Sequence, residues 1–453
     1  MALLAVCVTA RSPRHRTLQL LFLYLGYGVI EVVVKRLAHF SWFLYPIKYS
    51  LFFAVIISWA GSRDRTRQPL AAVPFAGVLG AYLALAAVQV FNPIQANVLV
   101  GVLGWLSDFA FVSFYFVAFD VFDELAAMRK LMYVTAALGI LSAAVCFAEQ
   151  WYGPDELMRL YPTFVHLVYF APAGGGVTHR PALLSPYNEI FAVAAMVGLI
   201  ESRRGPVWLW AIGIAACVVA NLLHAVRIGW FTGVAILALL SLFNRQRRIV
   251  TAALIAASIA VAVNVGMTVS DGQIARSLTS ATKPLNTFQQ TRLWGVEAIP
   301  IVAAAYPFGV GVGEASPGVR FLDTSGITSF GTHNYLADLA GQMSILGPLL
   351  LLIFSARLIM NVGRYAWHAK PGEWRAYVTV CFAIFTAFAV SLFGGGGLGS
   401  YPVNEYFWLA SGAAITLTVA HRRHAARHAQ TVPRRPSLML VHRRGLTSPR
   451  ETA

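Results

Sequence analysis

The sequence predicts an all-α fold, a polytopic transmembrane helical bundle of about twelve spans, with a large outward loop that carries short amphipathic helices. Hydrophobic residues make up 58% of the chain and charged residues only 12%, against about 25% charged residues in soluble domains. Apolar windows of roughly 18–22 residues recur, which is the length that crosses a bilayer. They lack the alternating pattern of a membrane barrel, so helices are expected.

These windows divide the chain into a transmembrane domain, 17–420, and two flanking segments. The predicted spans lie near 17–34, 42–60, 70–90, 98–119, 131–149, 187–201, 206–222, 228–243, 249–268, 335–356, 376–393 and 404–420. The first is interpreted as an uncleaved span and not as a signal peptide. Residues 1–16 form a cytoplasmic N-terminus, and the basic tail, 421–453, is predicted to be cytoplasmic and disordered.

The distribution of Lys and Arg predicts the orientation of the spans. With the N-terminus inside, the inward segments contain 25 of the 35 Lys and Arg residues, in agreement with the positive-inside rule. Most of the net charge of +16 then lies beside anionic lipid head groups. Nucleic-acid binding is disfavoured, because the charge is scattered over loops and no binding module accompanies it.

Two outward segments, 150–186 and 270–334, are longer than ordinary loops, and such loops often carry function. The first contains GPDELMRLYPTFVHLVYF and the second LNTFQQTRLWGVEAIPIVAAAYP, which are both predicted as short helices lying on the membrane. The four cysteines form no CxxC pair, so neither a zinc site nor a disulfide framework is indicated.

Three outward arginines are candidate ligands for an anionic group. Arg180 precedes a span, Arg227 lies at the outer tip of a two-span hairpin, and Arg292 begins an amphipathic segment. Guanidinium groups bind phosphate through two parallel hydrogen bonds, so several of them together suit a pyrophosphate. The alternative is that each arginine extends to the membrane interface or pairs with an acid such as Glu189 or Glu297.

His333 begins a predicted span and is a candidate general base, because the pKa of an imidazole lies close to neutral pH. In the alternative interpretation, Thr332 or Asn334 caps the helix and His333 has no role. His224 is a second candidate base. Asp108 is the acid nearest the middle of a span, either as a functional carboxylate or as a partner in a helix–helix hydrogen bond.

Two blocks in the C-terminal half carry recognisable motifs. RLWGVEAIPIVAAAYPFGVGVG has the pattern Arg-x-x-x-x-x-Ala followed by Pro-x-Gly-x-Gly, and THNYLADLAGQMSILG has the pattern His-Asn, Leu, Gly. Together they resemble the O-antigen ligase and O-antigen polymerase superfamily of bacterial inner-membrane glycan enzymes. Gln342 stands where Glu is usual in that family, and Ser344 stands where Gly is usual.

Two further stretches extend the resemblance over about 175–355. HRPALLSPYNEIFAVAAM is similar to the family's Arg…Pro-Asn segment, with Tyr187 inserted between Pro and Asn. HAVRIGWFTGVAILALL is similar to the family's Ser-Arg-Gly motif, with Val226 and Ile228 on either side of Arg227.

The resemblance implies metal-independent glycosyl transfer, without a cofactor, at the periplasmic face of a bacterial inner membrane. The implied donor is an undecaprenyl-pyrophosphate-linked glycan, and the implied acceptor is a glycan or lipid A-core, in lipopolysaccharide or exopolysaccharide synthesis. A flippase and a chain-length regulator are the implied protein partners, and nucleic acid is not a partner. The implied site consists of His333 and Arg292 as catalytic residues, Arg180, Arg227 and Arg292 as pyrophosphate ligands, and Asn334, His224 and Asn188 as supporting residues.

The residues favour the same function on separate grounds. No inward loop contains a nucleotide-binding domain, and no outward Asp-x-Asp motif suggests a divalent metal. Within the family, the sequence does not separate a ligase from a polymerase. The competing classes are a lipid-linked glycan flippase or other transporter, which usually has repeated halves and a midplane site, and an assembly partner without activity.

The predicted topology can be tested by cysteine labelling. Because both termini are predicted inside and 270–334 outside, a Cys introduced at Ser325 should react with an impermeant reagent added from the outer side. A Cys at Ser437 should react only after the membrane is permeabilised. The reverse pattern would contradict the location of every candidate residue named above.

Overall fold

The computed structural model describes residues 12–37, 44–63, 69–95, 97–160, 169–170, 178–179, 183–224, 227–243, 294–313, 334–393, 398 and 401–431. Within these residues the regular structure is helical, apart from one antiparallel pair of two-residue strands, β1 (Tyr169–Phe170) and β2 (Thr178–His179). The predicted all-α class is therefore confirmed.

Fourteen α-helices follow one another in the described part of the chain. They are α1 (Pro13–Leu37), α2 (Leu44–Ser62), α3 (Ala76–Gln89), α4 (Val98–Gly104), α5 (Ser113–Val121), α6 (Leu125–Leu160), α7 (Tyr187–Glu201), α8 (Val207–Leu223), α9 (Arg227–Phe243), α10 (Trp294–Ala305), α11 (Tyr335–Met343), α12 (Leu346–His368), α13 (Glu373–Ser391) and α14 (Val403–Thr431). A π-helical turn, Trp105–Phe109, and a 3-10 turn, Ala110–Val112, connect α4 to α5 without a break.

Every predicted span falls on a helix except 249–268, which lies outside the described residues. Among the described helices, those long and apolar enough to cross a membrane are Val98–Val121, Leu125–Gly153, Leu346–His368 and Glu373–Ser391. Shorter apolar helices are Ala76–Gln89, Val207–Leu223 and Thr232–Phe243. The chain therefore has helices of membrane-spanning length, and the number of about twelve spans stays a prediction.

The predicted span 335–356 is wrong as a single helix. Two helices, α11 and α12, cover it, and Ser344 between them has φ 60° and ψ −178°. This left-handed backbone cannot continue an α-helix, and a residue with a side chain seldom adopts it. Hydropathy did not reveal the break, because apolar residues lie on both sides of it.

Two other segments differ from their predictions. In the first long loop, α6 bends at Gly153 (φ 74°, ψ 166°) and ends at Leu160, and Tyr169–Phe170 then forms a strand where a helix was predicted. In the tail, α14 continues to Thr431, so residues 421–431 are helical where disorder was predicted. The rest of the tail lies outside the described residues.

The centre of the bundle is formed by α7 and α13. Every residue from Asn188 to Ile200 is buried, and α7 packs against α6, α8 and α13. In turn, α13 packs against α9, α12 and α14. A helix that is apolar on all sides is expected at such a buried position. Residues at the ends of α7 and α13 are therefore attached to helices that are packed on several sides.

Segments that were predicted to share the inward face meet at one end of the bundle. Arg14 of α1 pairs with Glu124 at 2.8 Å. Arg129 of α6 and Arg204, which follows α7, both pair with Glu373 at the start of α13, at 2.8 and 2.9 Å. These ion pairs join the beginnings of α1, α6 and α13 and the segment that follows α7.

Candidate functional site

A glycine-rich loop follows α10 and corresponds to the Pro-x-Gly-x-Gly motif. Gly309, Gly311 and Gly313 have φ angles of 79°, 100° and 105°, which residues with a side chain rarely adopt. An added Cβ atom would lie 2.4 Å from a backbone oxygen at Gly309 and at Gly313, and 2.6 Å from a side-chain oxygen at Gly311. Both the backbone conformation and the close packing therefore require glycine.

Side-chain amides from the α3 region bind backbone carbonyls of this loop. Gln89 Nε2 donates to the carbonyl of Phe308 at 2.6 Å, and Asn92 Nδ2 donates to the carbonyl of Gly309 at 3.0 Å. Gln89 is buried. Because a loop without regular structure leaves its backbone groups unpaired, these amides satisfy two acceptors that would otherwise lack a partner.

The other side of the loop is bound by α11. The backbone N–H of Val310 donates to the carbonyl of Gly341 at 2.8 Å, and the N–H of Gly313 donates to Gln342 Oε1 at 3.2 Å. Gln342 therefore joins the loop to the end of α11 through its side-chain amide.

Asn334 caps α11 and connects it to α13. Its Oδ1 accepts from the N–H groups of Leu336 and Ala337 at 3.0 and 3.2 Å, and its Nδ2 donates to the carbonyl of Phe393 at 3.0 Å. Its side chain is buried. The capping interpretation left open by the sequence therefore holds for Asn334. His333, which precedes it directly, lies outside the described residues.

A second polar group lies at the start of α7. Glu189 Oε1 accepts from Ser142 Oγ of α6 at 2.7 Å and lies 3.4 Å from His224 Nε2 at the end of α8. The adjacent Asn188 is also buried. Asn221 Nδ2 donates to the carbonyl of Pro186 at 2.8 Å. These contacts join the segment before α7 to the hairpin between α8 and α9.

His224 does not have the surroundings of a free base. It follows α8, and its side chain is 2% exposed. Burial lowers its pKa, but hydrogen bonds with Cys146 and Glu189 and the charge of Glu189 outweigh burial and raise the pKa to about 10. The imidazole therefore carries a proton near neutral pH, which disfavours the second candidate base.

The two groups meet at the C-terminal end of α13. The ring of Phe388 lies 5.4 Å from the ring of Tyr187 and 5.1 Å from the ring of Phe191, both on α7. One turn further along, the carbonyl of Phe393 binds Asn334. Thus α13 links the start of α7 to the residue that caps α11.

The structure describes only part of the remaining predicted site residues. Arg180, Arg292 and His333 lie outside the described residues. Arg227 is the first residue of α9, and its side chain lies outside the described part. Of the described candidates, Asn188 directly precedes Glu189, the partner of His224. Asn334 is bonded to Phe393, which follows α13.

Asp108 lies in the π-helical turn between α4 and α5. Its Oδ1 accepts from Ser107 Oγ at 3.1 Å. Asn404 of α14 donates to the backbone carbonyls of Ser107 and Asp108 at 3.3 and 3.2 Å. The helix–helix contact predicted here is therefore made through the carbonyls, which a π-helical turn leaves available.

Sequence reasoning missed the partner of one outward cation. Lys48 Nζ of α2 lies 3.1 Å from Glu405 Oε1 of α14, and Tyr24 Oη donates to the same oxygen at 2.9 Å. Lys48 therefore neutralises a buried acid and is not available to a substrate phosphate. No local signal could reveal this pair, because α2 and α14 stand at opposite ends of the chain.

Among the described residues, no group of three or more His, Cys, Asp or Glu side chains could hold a metal ion. Comparisons with protein-family models, with curated proteins and with solved structures found no match. The site is therefore interpreted from its own residues and from the motifs in the sequence.

The glycine-rich loop gives a test by stability. Gly313→Ala should destabilise the protein by at least about 2 kcal/mol, because alanine disfavours positive φ and its Cβ would overlap a backbone oxygen. Thermal unfolding in detergent measures this. The matched control is Gly80→Ala on α3, where an added Cβ meets nothing within 4 Å and the helix is favoured. Equal stability of the two variants would contradict the claim that the loop conformation requires glycine at position 313.

Proposed function

We propose that this chain is a metal-independent glycosyltransferase at the periplasmic face of a bacterial inner membrane. It transfers an oligosaccharide or polysaccharide from undecaprenyl pyrophosphate to an acceptor glycan hydroxyl, in the manner of an O-antigen ligase. O-antigen or exopolysaccharide polymerisation is the same chemistry with a different acceptor.

One observation carries this proposal. The stretches that resemble the glycan ligases are far apart in sequence, yet contacts link their described parts. The N–H of Gly313 donates to Gln342, and Asn334 donates to the carbonyl of Phe393 after α13. Phe388 of α13 contacts Tyr187 of α7. Motifs with a shared function are expected to meet in this way. A set of unrelated interface residues has no reason to do so, because interfacial arginines act separately at their own spans.

In the proposed reaction, Arg180, Arg227 and Arg292 bind the donor pyrophosphate. The acceptor oxygen attacks the anomeric carbon, and the bond from that carbon to the pyrophosphate oxygen breaks. His333 takes the proton of the acceptor hydroxyl. The arginines stabilise the negative charge that develops on the leaving pyrophosphate.

An assay with the purified chain and a lipid-pyrophosphate-linked oligosaccharide distinguishes the alternatives. Transfer to lipid A-core supports a ligase, and growth of the lipid-linked glycan supports a polymerase. Movement of the donor between leaflets without any new glycosidic bond would instead indicate a flippase. No change of the donor would contradict all three.

The first prediction for this function concerns the arginines. Arg227→Ala and Arg292→Ala should each abolish or severely reduce transfer while the protein still inserts. Substitution by Lys should restore little activity, because an ammonium lacks the two parallel donors of a guanidinium. Arg203→Ala, which removes an exposed cation near the end of α7 remote from the site, is the control. Full activity in both site variants would remove these arginines from the reaction.

The second prediction concerns His333. His333→Ala should lower the rate of transfer steeply and leave donor binding largely intact, because the base acts on the acceptor and not on the pyrophosphate. For the unsubstituted protein, the rate should fall as the pH drops below about 6.5, the pKa of an unperturbed imidazole. Near-normal turnover of a well-inserted His333→Asn variant would show that His333 is not the base.

A further inference from the structure

Glu189 and His224 form an almost completely buried pair that the reaction outlined above does not use. Their side chains are 0% and 2% exposed. Glu189 Oε1 has two neighbours, Ser142 Oγ and His224 Nε2. Within the described residues, Glu189 Oε2 is buried without a hydrogen-bond partner, as is Asn188 Nδ2. Such polar groups are costly to bury, so their presence at the start of α7 calls for a cause.

The location of Glu189 and His224 suggests why these polar groups are buried here. His224 is the C-cap residue of α8, and α9 begins at Arg227, so only two residues separate the imidazole from the proposed pyrophosphate ligand. Glu189 belongs to α7, which is buried at every residue from Asn188 to Ile200. Because Arg227 follows His224 by three positions, the contact from α7 to His224 restricts where α9 begins.

Further contacts restrict the same region. Asn221, one turn before His224, binds the carbonyl of Pro186, and Glu149 of α6 accepts from the backbone N–H of Leu183 at 3.0 Å. The segment before α7, which also carries Arg180, is thus attached to the same rigid helices. Side chains that position a binding group in this way commonly change affinity when they are altered.

We propose that Glu189 and His224 are positioning residues for Arg227, and that their pairing sets where this arginine meets the donor pyrophosphate. The inference rests on the proposed function for the identity of the donor. His224 is not the base in this proposal, because its Nε2 lies against Glu189 and its side chain is buried. Its role is to connect the end of α8 to α7.

The test uses the full chain in detergent or nanodiscs, with inorganic pyrophosphate as the binding probe and a lipid-pyrophosphate oligosaccharide as the donor. Glu189→Gln and His224→Gln should each raise the Kd for pyrophosphate and the KM for donor by about tenfold, within the usual range for residues that support a binding group. The kcat per inserted molecule should change by less than about threefold, because neither residue touches the reacting atoms.

A double variant and a matched control sharpen the result. Glu189→Gln combined with His224→Gln should recover pyrophosphate binding to within about threefold of the unsubstituted protein, because two amides can donate to and accept from each other. Glu201→Gln, at the other end of α7, should leave the Kd and the KM unchanged.

Several outcomes would overturn the inference. Unchanged Kd and KM in both single variants, with only the melting temperature lowered, would show a purely structural role. Additive losses in the double variant would show that the two side chains do not act as a pair. Should Glu189→Gln fail to insert, His224→Gln decides alone, since it keeps the carboxylate in place.

Failure of the proposed function can be told apart from failure of this inference. If the unsubstituted protein binds pyrophosphate but transfers no glycan, and the single variants bind more weakly, the positioning role stands and the glycosyltransferase proposal falls. If transfer occurs and the variants bind pyrophosphate normally, the positioning role falls and the function stands. Absence of both pyrophosphate binding and transfer in the unsubstituted protein would contradict both.

Discussion

Backbone groups of a buried non-helical segment need hydrogen-bond partners from the protein itself, because the packed interior excludes water. The loop that contains Gly309 and Gly313 meets this requirement with amide side chains from one side and the backbone of α11 from the other. Its conformation therefore determines how α3, α10 and α11 stand relative to one another. Asn334 links α11 to the end of α13 through its hydrogen bond to Phe393. In turn, α13 contacts α7 through the rings of Phe388 and Tyr187.

In this arrangement, the residues that make fixed contacts differ from the residues proposed to bind or react with the substrate. The described helices contribute fixed contacts, such as the cap at Asn334 and the pair of Glu189 with His224. The groups proposed to meet the substrate stand directly beside these supports in the sequence: His333 before Asn334, and Arg227 after the turn that His224 begins. Small displacements of a support would thus reach a reacting group through one or two residues of backbone.

The sequence predicted the helical class and the location of most helices, because the length of an apolar run and its helical conformation both follow from the properties of the bilayer. It missed the break at Ser344, where the backbone departs from a helix within an apolar run. At the site, it predicted that Asn188, His224 and Asn334 belong together. It could not predict the burial of Lys48 against Glu405, because pairing between residues so far apart in sequence depends on tertiary packing and leaves no local pattern.

The ion pairs at the opposite end of the bundle have a consequence for biogenesis. With the predicted orientation, Arg14, Arg129 and Arg204 would act as topology signals while the chain is being inserted, when each is a separate positive charge. In the folded protein the same side chains are paired with Glu124 and Glu373. One set of cations would thus orient the helices first and join their ends later. Loss of such an arginine would misdirect nascent chains as well as loosen finished ones, so a lowered yield alone could not be assigned to either stage.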